Sequence, residues 1–358
     1  MSWLLTIAGI AALIVIHEGG HAIAARLVGM KVERFALFFP PILLKRKIGS
    51  TEFALGSIPL GGYVRITGQN PVEEVSEEDE SCSYAHKAIW KRAFVIAAGP
   101  AANLLTCLVL VTALLMVSGQ QTPTSRISGS ALQAPALGSL KAGDRIVSVD
   151  GVKGGPEAFV KQTRSHRCVP AQTPGCYATA AAAVVVVRNG HTERLLLFPR
   201  YDEKAKAMRL GFAFATDRHG VPFGEAAGTS ITASWHVSQA TFKAISGVAD
   251  SKQRSQLGGI VGGVAVTEEA FSEDLVNALE LLAFISLSIA LVNLLPILPL
   301  DGGHLLWLLI EKVRGRPAST QALERAALIG FGLVAVLFVI GLSNDIGRLG
   351  SGGFSQPH

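Results

Sequence analysis

WLLTIAGIAALIVIHEGGHAIAARLV, residues Trp3 to Val28, is a long apolar run that carries His17, Glu18 and His21 in its second half. A predominantly apolar stretch of about 20 residues spans a ~30 Å hydrocarbon core as one helix. On that helix His17 and His21 lie one turn apart on the same face, and Glu18, three residues before His21, flanks it. This is the spacing for two zinc ligands and a general base. Ionisable groups at membrane depth are costly to bury, so their presence there points to function before packing.

Neutral imidazole nitrogens bind zinc well, and a site with three protein ligands keeps a position open for water. The metal lowers the pKa of that water, and a nearby glutamate can take its proton as it attacks a carbonyl. The plainer reading, two histidines lining a helix bundle, loses weight in so apolar a setting.

Composition agrees with a membrane protein. Mean hydropathy is +0.40, 49% of residues are hydrophobic and 16% charged, against about 25% charged in an ordinary soluble domain. The net charge of +5 invites a nucleic-acid partner, but the lysines and arginines cluster beside apolar spans, where the positive-inside effect accounts for them. No nucleic-acid partner is expected, and the lipid bilayer is the surrounding medium.

Four spans are expected, at 3–28, 93–117, 279–298 and 326–342. Between the first two lie Lys31, Arg34, Lys45, Arg46, Lys47, Arg65, Lys87, Lys91 and Arg92, whereas no basic residue precedes His17. That asymmetry places both termini outside the cytoplasm, the first loop inside, and the segment from Gly119 to Ala278 outside. A cleaved signal peptide is disfavoured because the first run lacks a basic start and resumes beyond the motif. Some 14 residues precede His17 at ~1.5 Å each, which puts the metal ~20 Å from the outer face, toward the cytoplasm.

A third ligand is offered by NLLPILPLDGGH, Asn293 to His304. Pro296 and Pro299 break the third span, Gly302 and Gly303 permit a tight turn, and irregular backbone at membrane depth is tolerated only where protein or a wet cavity surrounds it. Asp301, in the 300–304 motif LDGGH, is placed to complete the metal shell. The alternative is a proline-kinked helix with a solvated aspartate at its end. Asn293 is an amide able to hold a substrate backbone or a developing oxyanion.

HEGGH in the first span together with NLLPILPLDGGH in a late one resembles the site-2 protease family of intramembrane zinc metalloproteases. GPAAN, Gly99 to Asn103, is similar to a pattern that family carries at the start of the following span. The resemblance implies one zinc ion held by His17, His21 and Asp301, with Glu18 as catalytic base and Asn293 positioning substrate or stabilising the transition state. His304 is a candidate extra ligand, with a role in supporting the ligands or the local structure favoured. It also implies single-span membrane proteins as substrates, such as anti-sigma-factor-like regulators already trimmed outside, or remnant signal peptides.

The implied fold is a polytopic α-helical protein of the cell membrane with a cytoplasmic β-loop and an inserted extracytoplasmic PDZ-like domain. Within the loop, 33–68, Phe35 to Phe39 and Glu52 to Ile66 read as strands, with turns at Pro40-Pro41, at Lys47 to Ser50 and at Gly61-Gly62. Ile58 to Val64 resembles the family's membrane-associated β-loop, so Gly61, Gly62 and Tyr63 are candidates to pair with an extended substrate strand. The stretch 70–92, acidic from Glu73 to Glu80, reads as a solvated linker.

Lys141 to Gly151, and the hairpin Val184 to Phe198 turning at Asn189-Gly190, resemble a PDZ domain within 120–202. Such domains take extended peptides or chain ends at a sheet edge. Cys168 and Cys176 fall in an insertion there and could form a disulfide outside the cytoplasm. Residues 203–278 are expected as a linker with an amphipathic helix near Ile231 to Val248, and 346–358 as a short tail. A catalytically silent scaffold that only binds through the PDZ-like domain is the competing function. A zinc transporter would need a polar path through the spans, and none is evident.

Overall fold

The computed structural model describes residues 2–70, 75–128, 132–203, 205–247 and 260–350. The chain divides into two compact units, one of 1–114 with 223–357 and one of 115–222.

The first unit holds α1 (Ser2–Leu27), a hairpin of β1 (Val32–Ile48) and β2 (Thr51–Ile66), and α2 (Ile89–Ser118), whose last turn reaches the second unit. With the second unit's α3 counted in chain order, it continues as α4 (Phe223–Ser246), α5 (Ile260–Glu273), α6 (Leu275–Asn293), α7 (Asp301–Arg314) and α8 (Thr320–Gly350). Among the described residues, α1, α2, α6 and α8 are long and apolar enough to cross a membrane. Their outer faces expose large apolar side chains, Leu4 at 72%, Val117 at 86% and Ile329 at 74%. Large apolar side chains exposed along helices of this length suit an apolar surround.

Several boundaries differ from the sequence expectation. The third span ends at Asn293, not at residue 298, because Pro296 and Pro299 lack the N–H a continuing helix needs. Pro40-Pro41 and Gly61-Gly62, expected as turns, lie inside β1 and β2. The pairing shifts register between Phe39 and Ile42, and such a bulge accommodates prolines without breaking the strand. Phe35 has both Val64 and Phe53 as partners, so the first half of β1 runs between the two halves of β2.

The expected linker 203–278 is not one segment. Its first part belongs to the second unit, while α4 and α5 belong with the helices. Ser230 Oγ donates to the Leu108 carbonyl at 3.2 Å, and Ser234 Oγ lies 3.6 Å from Cys107 Sγ, which seats α4 on α2. The expected helix near Ile231 falls within α4, and Val248 lies outside the described residues. α5 packs against α1, α6 and α8, and Asp345 Oδ2 accepts the Gly262 N–H at 2.8 Å near the start of α5. Polar Thr267, Glu268 and Glu269 obscure α5 in the sequence. Part of the acidic stretch, Glu73 and Glu74, and the tail beyond 350 are outside the described residues.

The second unit is β-rich. It runs β3 (Gln120–Ile127), β4 (Arg145–Val149), β5 (Val152–Lys153), α3 (Pro156–Arg164), β6 (Ala182–Arg188), β7 (His191–Leu197), β8 (Arg200–Asp202), β9 (Ala207–Arg209) and β10 (Phe214–His219). Among the described residues the main sheet has the order β10-β3-β4-β6-β7, with β5 beside β4. It therefore extends past residue 202, since β10 pairs antiparallel with β3, a contact distant in sequence. Ile127, Leu140, Ile146, Val149, Phe159, Val184 and Val186 form the core. Asn189 and Gly190 both have positive φ, 51° and 83°, as a two-residue type I′ turn requires. Cys168 and Cys176 are bonded and pack with Ala178 and Met208.

Arg188 forks onto buried Asp144 from β6, Nε to Oδ1 at 2.9 Å and Nη2 to Oδ2 at 2.7 Å. Burial pushes the Asp144 carboxyl up, but the Arg188 guanidinium and the Lys141 backbone N–H outweigh it and hold it below the usual carboxylate value. A carboxyl depressed by folding contributes stability that is present above its unfolded pKa and lost as pH falls through its folded one. The second unit should therefore lose stability below about pH 4, and Asp144→Asn should lessen that dependence while costing roughly 1–3 kcal/mol at neutral pH, since Arg188 keeps Glu193 and the Ser139 carbonyl. Unfolding curves of both chains across pH 3–7 check this.

Candidate metal centre

α1 presents His17 and His21 side by side, ring centroids 5.0 Å apart and edge to face, both only 8% exposed. Asp301 comes from the first turn of α7. Its Oδ2 lies 3.2 Å from His17 Nε2 and 3.4 Å from His21 Nε2. These three residues are the metal-capable group of His, Cys, Asp and Glu found among the described residues, with ligand atoms all within 4.8 Å of one another.

The arrangement fits a small tetrahedral cation. Two ligands at ~2.0–2.1 Å from such an ion stand about 3.3 Å apart, close to both nitrogen–oxygen separations. His21 Nδ1 meets the Val95 carbonyl at 2.8 Å, which assigns the proton to Nδ1 and leaves a lone pair on Nε2. In the neutral ring that lone pair faces a carboxylate oxygen, and a cation between the two atoms makes the arrangement favourable. Asp301 Oδ2 is buried and takes part in no hydrogen bond, as such a ligand oxygen should.

Two close approaches set this geometry. A Cβ on Gly99 of α2 would overlap the His21 ring at Nε2, and one on Gly20 would strike the Ala98 carbonyl, so α1 and α2 meet backbone to backbone. The segment after α6 then folds against the first turn of α7. Side chains at Gly302 and Gly303 would meet the Leu294 carbonyl and the Leu298 backbone nitrogen, and one on Gly330 of α8 would meet the Leu298 carbonyl. Arg92 of α2 holds Glu311 of α7 in a two-pronged ion pair, Nη1 to Oε2 at 3.1 Å, with the Tyr84 ring 5.8 Å from its guanidinium carbon. α2 thus carries both the carbonyl that orients His21 and the cation that ties down the helix bearing Asp301.

Glu18 stands beside the cluster and interacts with His21, His17 and Asp301 as well as with the Val64 backbone. Gly62 lies against it, since a Cβ there would be 2.9 Å from Glu18 Cγ. Tyr63 is turned to the hairpin, stacked on Phe39 with ring centroids 6.1 Å apart, and Gly61 lies over the same Phe39 ring. Asn293 Nδ2 donates to the Ile289 carbonyl of its own helix at 3.0 Å. His304 stands outside the metal-capable group.

The model of peptidase family M50 matches residues 5–337. The chain belongs to that family, the site-2 proteases. Two relatives named as putative zinc metalloproteases are similar over nearly their whole length, Atu1380 of Agrobacterium fabrum at 29% identity and BR1156/BS1330_I1152 of Brucella suis biovar 1 at 31%. They cover 94% and 92% of this chain, which spans 93% and 91% of theirs. A third, CA_C1796 of Clostridium acetobutylicum, is 29% identical over 93% of this chain and 94% of its own. The M50 chain is a multi-pass membrane metalloprotease, and zinc is its metal.

Val95, Gly330 and the Arg92–Glu311 pair escape sequence reasoning because a carbonyl, a missing side chain and a pairing 219 residues apart leave no local pattern. For the family member described here, Gly99→Ala should push the His21 ring off its seat and weaken zinc binding by about tenfold or more, the range for groups that orient a ligand. Chelator competition on the purified chain measures it.

Proposed function

We propose that this M50 protease hydrolyses peptide bonds within or near the transmembrane helix of membrane-anchored proteins. The observation that carries the reading is the position of Glu18, near the two histidines and Asp301 and also against the β2 backbone at Gly62 and Val64. His17 Nε2, His21 Nε2 and an Asp301 carboxylate oxygen would hold the zinc. Zinc supplies Lewis-acid chemistry when bound, polarising a carbonyl and making water more acidic. Glu18 takes the proton of the attacking water and returns it to the leaving amine nitrogen, which a carboxylate at hydrogen-bond reach of both can do.

A helix hides its peptide bonds, so a substrate span must unwind before hydrolysis. β2 supplies a strand against which an extended segment can pair through Gly61, Gly62 and Tyr63, of which Gly62 lies against the Glu18 side chain. Asn293 retains a second N–H and a carbonyl oxygen, and a side-chain rotation would present them to substrate backbone or to a developing oxyanion. His304 supports the turn of α7.

The basic first loop supports an orientation with that loop and the metal toward the cytoplasm and both termini outside. The second unit then lies outside as a PDZ-like domain that takes an extended peptide or chain end and delays substrates until their outer parts are trimmed. Single-span regulators of the anti-sigma type and remnant signal peptides fit such a filter. The experiment compares membranes of cells carrying the active chain with those carrying Glu18→Gln. Trimmed single-span fragments should accumulate only with the variant, and identical membrane proteomes would refute the assignment.

A further inference from the structure

Asn103 is fully buried in the helical unit, and neither its Oδ1 nor its Nδ2 has a hydrogen-bond partner. Two unmade amide ends in an apolar interior are costly. His17 Nδ1 is likewise buried without a partner, whereas the other histidine bonds its Nδ1 to Val95. Histidines that bind a metal through one nitrogen almost always donate from the other.

The packing of α1 on α2 brings these orphans to the same level. His21 meets Val95 and Gly99, while Gly20, one position earlier, meets Ala98 and Ala102, so positions rise along α1 as they fall along α2. Stepping back one turn on α1, from His21 to His17, corresponds to stepping forward one turn on α2, from Gly99 to Asn103. Ser286 of α6 donates to the Asn103 backbone carbonyl at 3.0 Å, which leaves the carboxamide unused.

We propose that Asn103 is the positioning partner of His17, accepting the Nδ1–H through one bridging water and so orienting Nε2 toward the zinc. A water there has Oδ1, Nδ2 and the imidazole N–H as partners, enough to hold it in a buried site. The proposal rests on His17, His21 and Asp301 being the zinc ligands.

The test is zinc affinity of the purified full-length chain, by chelator competition, with the visible spectrum of the cobalt(II)-loaded chain as a second readout. Asn103→Leu, apolar and similar in volume, should bind zinc 10–100-fold more weakly and shift the cobalt bands. Asn103→Asp, which accepts the same proton more strongly, should stay within threefold of the parent. A packing role would reverse that order, because leucine suits an apolar interior and a buried carboxylate does not. Should leucine fail to fold, Asn103→Ser and Asn103→Ala replace the pair, with serine retaining affinity and alanine losing it. Wild-type affinity and spectrum in the leucine or alanine variant overturn the proposal, as does an aspartate variant weaker than leucine. If Asp301→Asn also retained full affinity, the ligand assignment itself would fail instead.

Discussion

Glu18→Gln is expected to leave the chain folded and zinc-loaded while lowering peptide hydrolysis by about 10²–10⁴-fold, the range that general base catalysis contributes. The substitution keeps the size and shape of the side chain, so the close contact with Gly62 and the seating of β2 on α1 are preserved. It adds nothing to the ligand set, since Glu18 lies outside the group of His17, His21 and Asp301. What it removes is the ability to take a proton from water and pass it to the leaving nitrogen. Zinc content and cleavage of a single-span substrate, both on protein purified in detergent, separate the two effects. Hydrolysis at the parental rate with zinc bound would take the base role away from Glu18.

Asp301→Asn should have the converse signature, with the helices intact and the metal lost. The carboxylate supplies the one negative charge among the three proposed ligands, and its Oδ2 is the atom both histidine nitrogens face. An amide in that place offers a neutral, weaker oxygen or a nitrogen that repels the ion. Zinc affinity should fall by more than the roughly 10–100-fold typical of groups that only orient a ligand. The metal-free variant should unfold close to the parent, because Gly302, Gly303 and the Arg92–Glu311 pair still fix α7. Unchanged zinc content would exclude Asp301 as a ligand.

Glu18 stands out by its spacing to the two histidines, whereas Asp301 is a candidate that the residues leave open against a solvated aspartate and that the family resemblance favours. Two histidines one helical turn apart present one face whatever surrounds them, and Asp301 follows two prolines that must end a helix. The supports of the site were not legible in the same way. Gly99 belongs to a visible pattern, but that its missing Cβ makes room for the His21 ring depends on the crossing of α1 and α2. Gly330 has no local signature, yet it admits the Leu298 carbonyl of a segment 32 positions earlier. The strand boundaries in the hairpin were misread because prolines and paired glycines usually end strands, whereas here a bulge absorbs the first and the Phe39 ring and α1 cover the second.

By itself the sequence determined the apolar spans, the candidate ligand and base residues and the kind of chemistry they suit, since each follows from periodicity, length and residue type over a few turns of helix. The tertiary structure alone decided which atoms meet. It brought Asp301 to within 3.2 and 3.4 Å of the two imidazoles, set Val95 behind His21, joined β10 to β3 and buried Asn103 without a partner. Those are distances between segments remote in the chain, and only the close packing of helices and strands on one another fixes them.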